Sequence, residues 1–296
     1  MGYLECNKQS MAIKIKTLSG YFHEYQKSIT DPLAYWDQQA ESFYWRKRWT
    51  SILEYNFDEP KIEWFKNGKL NITENIFERH LYIRKDQTAI IWEPNNPEEQ
   101  AINITYGELF IKVKTFANAL ISIGIKKGDR VAIYMPMIPE LAVAMLACAR
   151  IGAIHSVVFA GFSATSLVDR INDSQAKLVI TSDEAFRGHK TIPIKEVVDE
   201  ALKLCTSVEH VIVKKRTGGK VNFQTGRDLW WDELILNKSS ENTAEEMDSE
   251  DPLFTIYTSG STGKPKGLVH TTGGYMVYSS YTFLNVFQYQ EGDVFF

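Results

Sequence analysis

Tyr257-Thr-Ser-Gly-Ser-Thr-Gly-Lys-Pro-Lys-Gly267 is the stretch whose reading decides the rest. The apolar run Leu253–Tyr257 leads into it as a strand, and the pattern from Thr271 to about Phe287 predicts a helix after it. Gly260, Gly263 and Gly267 allow backbone angles and close approaches that a Cβ forbids. Thr258, Ser259, Ser261 and Thr262 add hydroxyls, and Lys264 and Lys266 add cations. Successive amides in such a turn form a concave nest that favours an anion, here a polyphosphate. A Walker A loop needs Ser or Thr after its lysine, and Pro265 stands there instead. The other reading is a solvated Ser/Gly linker, but flexible linkers do not combine an entering apolar strand, paired lysines and a stiffening proline.

Working back from this loop, short apolar strands alternate with helical patterns. Thr105-Tyr-Gly-Glu108 is a capping box, followed by Leu109, Val113, Phe116, Leu120 and Ile123 at helical spacing, with Gly124 as the stop. Val131–Tyr134 reads as a strand, 140–151 as a buried helix, and 154–159 as a strand with Ser163 capping the next helix. Strands follow at 177–181 and 210–214, with a helix over 194–204 between them. That alternation predicts βαβ units in an α/β fold with a mostly parallel sheet, whose ligands sit beyond the carboxyl ends of the strands. The stretch 241–251 carries six acids and no base, which predicts a solvated connector.

Residues 1–80 differ. They hold Trp36, Trp45, Trp49 and Trp64, four of the seven tryptophans, with few clean strand patterns and turn signals at Asp31-Pro32 and Asn67-Gly68. An irregular aromatic-rich cap on a larger domain over 81–296 is expected. Arg46-Lys47-Arg48 between Trp45 and Trp49 reads as a solvated basic face rather than a surface for stacking nucleic-acid bases.

Composition narrows the function. The 296 residues are 44% hydrophobic and 24% charged with net charge −4, enough for a large core and no reason to expect nucleic acid or an anionic membrane as partner. Cys6, Cys148 and Cys205 are far apart, and neither a CxxC nor an HExxH spacing occurs, so no disulfide framework or metal site is expected. Cys148, in an apolar run, reads as a buried small hydrophobe. No stretch is long and apolar enough to span a bilayer, the N-terminus lacks a signal-peptide core, and Cys6 stands where myristoylation wants Ser or Thr. A cytoplasmic protein is expected.

The loop and its continuation His270-Thr-Thr-Gly-Gly-Tyr275 resemble the acetyl-CoA synthetase branch of the adenylate-forming superfamily. Tyr134-Met-Pro-Met-Ile-Pro139, the segment 144–153, Arg227-Asp-Leu-Trp-Trp231 and Asp31-Pro32 with Trp36 resemble it too, so the likeness runs from about residue 20 onward. It implies a ligase that joins acetate to ATP through acetyl-adenylate and passes the acetyl group to CoA, with Mg2+ on the phosphates. The partners implied are small molecules only. Thr258 through Gly267 would hold the ATP phosphates. Arg187-Gly188-His189-Lys190 would meet the CoA phosphates, although His189 stands at a usual glycine. Phe159 and Gly161 would lie by the CoA adenine, with Ala160 where glycine is frequent; Phe159 as strand-end core stays open. His270 is expected to pack or position rather than act as a base, because acetate is already ionised near neutral pH. His155 and His210, at strand starts, read as satisfied structural histidines.

The family's acyl pocket, adenine and ribose motifs, magnesium-binding glutamate and C-terminal lysine domain have no counterpart in these residues. The expectation is therefore an N-terminal fragment, inactive by itself, with no complete catalytic set and no metal ligand. A ligase for propionate or another short acid, and a non-catalytic nucleotide-binding fragment, are the alternatives.

Overall fold

A computed structural model describes residues 15–188, 190–258 and 263–296. The chain divides into two compact units. One takes the described residues up to Arg79 together with Glu246–Asp251 and Thr271–Phe296, and the other takes His80–Glu245 with Pro252–His270.

The second unit is built on a sheet of seven strands: β1 (Arg130–Tyr134), β2 (Ile154–Val157), β3 (Leu178–Ser182), β4 (His210–Lys214), β5 (Asp228–Trp230), β6 (Pro252–Thr258) and β7 (Lys266–Thr271). Their order is β5-β4-β3-β1-β2-β6-β7. Each neighbouring pair from β5 to β6 is parallel. The connection 259–265 is too short for the crossover that parallel neighbours need, so β7 turns back antiparallel along β6. Helices Pro139–Arg150, Ala164–Ser174 and Ile194–Leu202 make the crossovers after β1, β2 and β3. The order reverses around β1, because the chain passes from β2 back across it to β3.

Local chemistry sets these elements. The capping box forms as the sequence predicts: Thr105 Oγ1 accepts from the Glu108 amide at 3.2 Å, and Glu108 Oε2 accepts from the Thr105 amide at 2.8 Å. Ser163 caps the helix Ala164–Ser174. β3 is buried along its whole length, with apolar Leu178–Ile180 followed by buried Thr181 and Ser182, as a central strand covered on both faces requires. Leu167, Ile171, Val179, Ile194, Val198 and Val211 close the core on one side. Cys148 is wholly buried, and burial pushes its thiol up to about 12, so it serves as a small apolar side chain.

The first unit is more regular than its sequence suggests. Asp31 accepts from the Ala34 amide and Pro32 opens the helix Pro32–Ala40. Strands Ser51–Asn56 and Lys61–Lys66 form an antiparallel hairpin. Trp49, Phe65, Leu70, Met276 and Val277 make the core, with Trp36, Trp45 and Trp64 packed against it.

The helix expected from Thr271 forms over Thr272–Asn285, after the phosphate-loop stretch has run into β7, where Leu268, Val269 and their neighbours find a ladder on β6. Three expectations are corrected. The acidic stretch is no free connector: Met247–Asp248 pairs with Lys69–Leu70, Met247 is buried, and Lys69 meets Asp248 at 2.6 Å. The basic triplet is not simply solvated, since Arg46 forks onto Glu74 at 2.8 Å and Arg48 reaches Asp37 and Glu41. His155 and His210 are placed structurally, but the Nδ1 of each lacks a hydrogen-bond partner among the described residues.

Candidate functional site

Because β1 through β6 run parallel, their carboxyl ends share one edge of the sheet, and the segments that carry the candidate residues leave from that edge. Phe159 and Gly161 follow β2, Arg187, Gly188 and Lys190 follow β3, and Thr258 through Gly267 follow β6. Strands stand about 4.8 Å apart, so the segments after β2 and β6 leave one spacing apart, and the segment after β3 leaves about 10 Å from that after β2.

At the end of β6, Thr258 is exposed on the last residue of the strand. Ser259, Gly260, Ser261 and Thr262 lie outside the described residues. Gly263 has φ +85°, a left-handed conformation that a side chain would strain. Lys264 and Lys266 are exposed, and among the described residues neither has an ion-pair partner. At Gly267 a Cβ would sit 3.0 Å from Thr255 Cγ2 and 3.1 Å from the Tyr257 ring, so glycine lets β7 close on β6. The stem is fixed from outside as well. Tyr257 Oη donates to Asp173 Oδ2 at 2.7 Å, and burial first, then Asp173, raises the phenol's pKa. His270 stacks on Phe254 at 4.6 Å, and His155 stacks on the same Phe254 at 5.6 Å, so packing is what both rings do here. Burial lowers the His155 pKa to about 4.

After β2, the strand stops at Val157 instead of running to Phe159. Phe159 is 70% exposed, which removes the reading of it as strand-end core. Its ring meets Phe162 edge-on at 5.7 Å, and Gly161 lies under it, where a Cβ would strike the ring. The Arg170 guanidinium lies 4.8 Å from the Phe162 ring and 5.6 Å from the Tyr257 ring, one cation touching the segment after β2 and the end of β6. No pattern in the sequence singled out Arg170; its i+7 relation to Ser163 only places it on the helix.

After β3, strands Ala185–Arg187 and Lys190–Ile192 form a small antiparallel hairpin. Arg187 and Lys190 are register partners, both exposed, and neither has an ion-pair partner among the described residues. Gly188 takes φ +61° in the turn, and His189 lies outside the described residues. Two like charges opposed across a hairpin repel each other. An arrangement of this kind is suited to receiving an anion that neutralises both.

The edge thus presents the unpaired cations Lys264 and Lys266, the opposed pair Arg187 and Lys190, and an exposed aromatic ring, which together suit a polyanion with a flat base. Among the described residues no three His, Cys, Asp or Glu side chains converge to hold a metal ion. No helix among them is long and apolar enough to cross a membrane.

Residues 77–296 match the family model for AMP-binding enzymes, and residues 21–76 match that for the acetyl-coenzyme A synthetase N-terminus. The chain is 54% identical over 275 residues to an acetyl-coenzyme A synthetase of Escherichia coli (strain K12), covering 92% of this chain and 42% of that protein. It is 52% identical over 272 residues to an acetyl-coenzyme A synthetase of Bdellovibrio bacteriovorus, covering 92% of this chain and 42% of that one. Among solved structures, an acetoacetyl-CoA synthetase from Streptomyces lividans superposes with a TM-score of 0.84 at 26% identity, covering 93% of this chain and 42% of that one. The chain therefore spans about two fifths of the length of the curated relatives it matches.

Proposed function

The chain belongs to the AMP-binding enzyme family, and from that premise we propose that it is part of an AMP-forming acetate–CoA ligase. The observation that carries this reading is the match of both models end to end over residues 21–296, with the second model specific to acetyl-coenzyme A synthetases. The activity proposed is that of the protein at the length of its relatives. ATP and CoA are its proposed co-substrates, the cytoplasm its proposed compartment, and 1–80 and 81–296 its proposed cap and AMP-binding regions.

In the first step an acetate oxygen attacks the α-phosphorus of ATP, the bond to the bridging oxygen breaks, and pyrophosphate leaves. Thr258, the segment 259–262, Gly263, Lys264 and Lys266 offset charge on the departing β- and γ-phosphates, a preorganised electrostatic role. No base is needed, since the carboxylate is already ionised. In the second step the CoA sulfur attacks the acyl carbon, its proton is released, and AMP leaves. Arg187 and Lys190 hold CoA phosphates, and Phe159 offers its exposed ring to the adenine. Mg2+ enters as a companion of the ATP phosphates; the described residues supply no donor set for it, and no step here depends on one.

The test is ATP–pyrophosphate exchange by the protein at its relatives' length, with acetate, propionate and butyrate compared. Exchange highest with acetate, followed by acetyl-CoA and AMP on adding CoA, is the expected result. Exchange indifferent to any carboxylate would overturn the ligase reading, and exchange highest with propionate would move it to the longer acid.

A further inference from the structure

The hairpin after β3 poses a physical problem. Its strands are three residues each, it sets Arg187 directly opposite Lys190, and an isolated two-stranded hairpin is at best marginal in water. Something outside the hairpin must hold two repelling cations in place before any anion arrives.

The supports come from residues distant in sequence. Asn95 Nδ2 donates to the Gly188 carbonyl at the hairpin tip at 2.7 Å. At the hairpin stem, the Arg216 guanidinium lies 5.1 Å from the Phe186 ring and 5.2 Å from the Trp92 ring. Arg216 is oriented by Glu99, whose Oε2 accepts from its Nη2 at 2.6 Å. Its backbone amide donates to buried Asp183 at 2.7 Å, and Asp183 also accepts from the Gly218 amide at 2.8 Å. Asp183 directly follows β3. Asn95 and Glu99 both lie on the connection 93–101 between strands Thr88–Trp92 and Ile102–Thr105. One connection therefore grips the tip and, through Arg216, the stem.

We propose that the connection 93–101 is a brace that positions the anion-binding hairpin, with Asn95 and Glu99 as positioning residues for the CoA phosphates. The proposal rests on the reading of Arg187 and Lys190 as CoA-phosphate ligands. Neither brace residue touches CoA. Each acts by fixing the backbone that carries the cations, so that the repulsion is already overcome when the phosphate binds.

The test is steady-state kinetics on the protein at its relatives' length, with Asn95→Ala, Glu99→Gln, Arg187→Ala and the double variant Asn95→Ala/Arg187→Ala. One lost hydrogen bond predicts a rise of about three- to tenfold in KM for CoA in Asn95→Ala. The KM values for ATP and acetate, kcat and the melting temperature should stay near wild type. Glu99→Gln should shift KM for CoA the same way, which keeps the test open if Asn95→Ala does not fold. Because the brace works through the cations, the double variant should lose less CoA affinity than the two single losses summed, the remainder acting through Lys190. An additive double variant, or equal losses for all three substrates, would overturn the brace. If Arg187→Ala leaves KM for CoA unchanged, the phosphate reading itself fails. If Arg187→Ala raises it while Asn95→Ala and Glu99→Gln do not, only the brace fails.

Discussion

Arg187 and Lys190 lie in one hairpin, and Lys195 follows five residues on, yet these cations live in opposite circumstances. Lys195 is 1% exposed and donates to Asp199 at 2.7 Å, to Asp228 at 2.9 Å and to the Asn222 carbonyl at 3.0 Å. Arg227 completes the cluster on Asp199 and Asp228, each at 2.6 Å. Burial alone would raise the Asp228 pKa, but Arg227, the Gln224 amide and Lys195 together draw it below the usual carboxylate range. The cluster joins the helix Ile194–Leu202 to β5, and every charge in it has a partner. The hairpin pair has none among the described residues and faces water. Charge that is buried and paired holds the fold; charge that is exposed, opposed and unpaired is available to a ligand.

The sharpest way to break that contrast is Asp228→Ala. It strips buried Lys195 and half-buried Arg227 of one partner, and breaking a buried pair costs about 3–5 kcal/mol. Urea unfolding should show the loss. The depressed Asp228 pKa also means that its contribution is present above the unfolded carboxylate value and fades as pH falls through the folded one. A variant as stable as wild type would mean that the cluster holds nothing.

On the ligand side, Lys266→Ala with Gly263→Ala should lower acetate-dependent ATP–pyrophosphate exchange by about 10²–10³. Turnover of supplied acetyl-AMP with CoA should stay within a few-fold, because that adenylate carries no β- or γ-phosphate. Far-ultraviolet circular dichroism must show a folded variant. Equal loss in both half-reactions would turn the loop from a phosphate cradle into a structural hinge.

His155 sharpens the comparison from a third direction, as a buried group kept neutral. Burial holds its pKa at about 4, below the unfolded value of about 6.5, so the unfolded chain binds the extra proton first. Its contribution is complete above the unfolded value and is lost as pH falls toward 4, by up to about 3 kcal/mol. His155→Phe should flatten the stability–pH curve in that window. An unchanged slope would put the titration elsewhere.

Much of this was legible in the sequence because local rules dictate it. The Thr105–Glu108 box, the Ser163 cap, the apolar start of β3 at Leu178–Ile180 and the glycine–lysine stretch after β6 are each set by residues within a few positions of one another. What escaped depends on partners far along the chain. β7 went unread between the loop and the helix from Thr271, because its ladder exists only beside β6. Met247–Asp248 hides in an acidic stretch and is a strand only against Lys69–Leu70. Arg46 looked solvated because Glu74 stands 28 residues away, and Arg170 has no local motif announcing Phe162 and Tyr257. Asn95 and Glu99 sit in a polar connection, and nothing in its composition indicates the hairpin 93 residues on.

The most direct test sets one cation of each kind side by side, Arg187→Ala against Arg227→Ala, in the protein at its relatives' length. For each variant, KM for CoA and melting temperature are measured together. Arg187→Ala should raise KM for CoA by about tenfold or more, the worth of a charge-assisted phosphate contact, with the melting temperature unchanged. Arg227→Ala should lower the melting temperature by several degrees, about 2–4 °C per kcal/mol lost in a chain of this size, with KM for CoA unchanged. If both variants melt early and bind CoA normally, or if Arg227→Ala is the one that loses CoA, the division between fold-holding and ligand-facing charge is wrong.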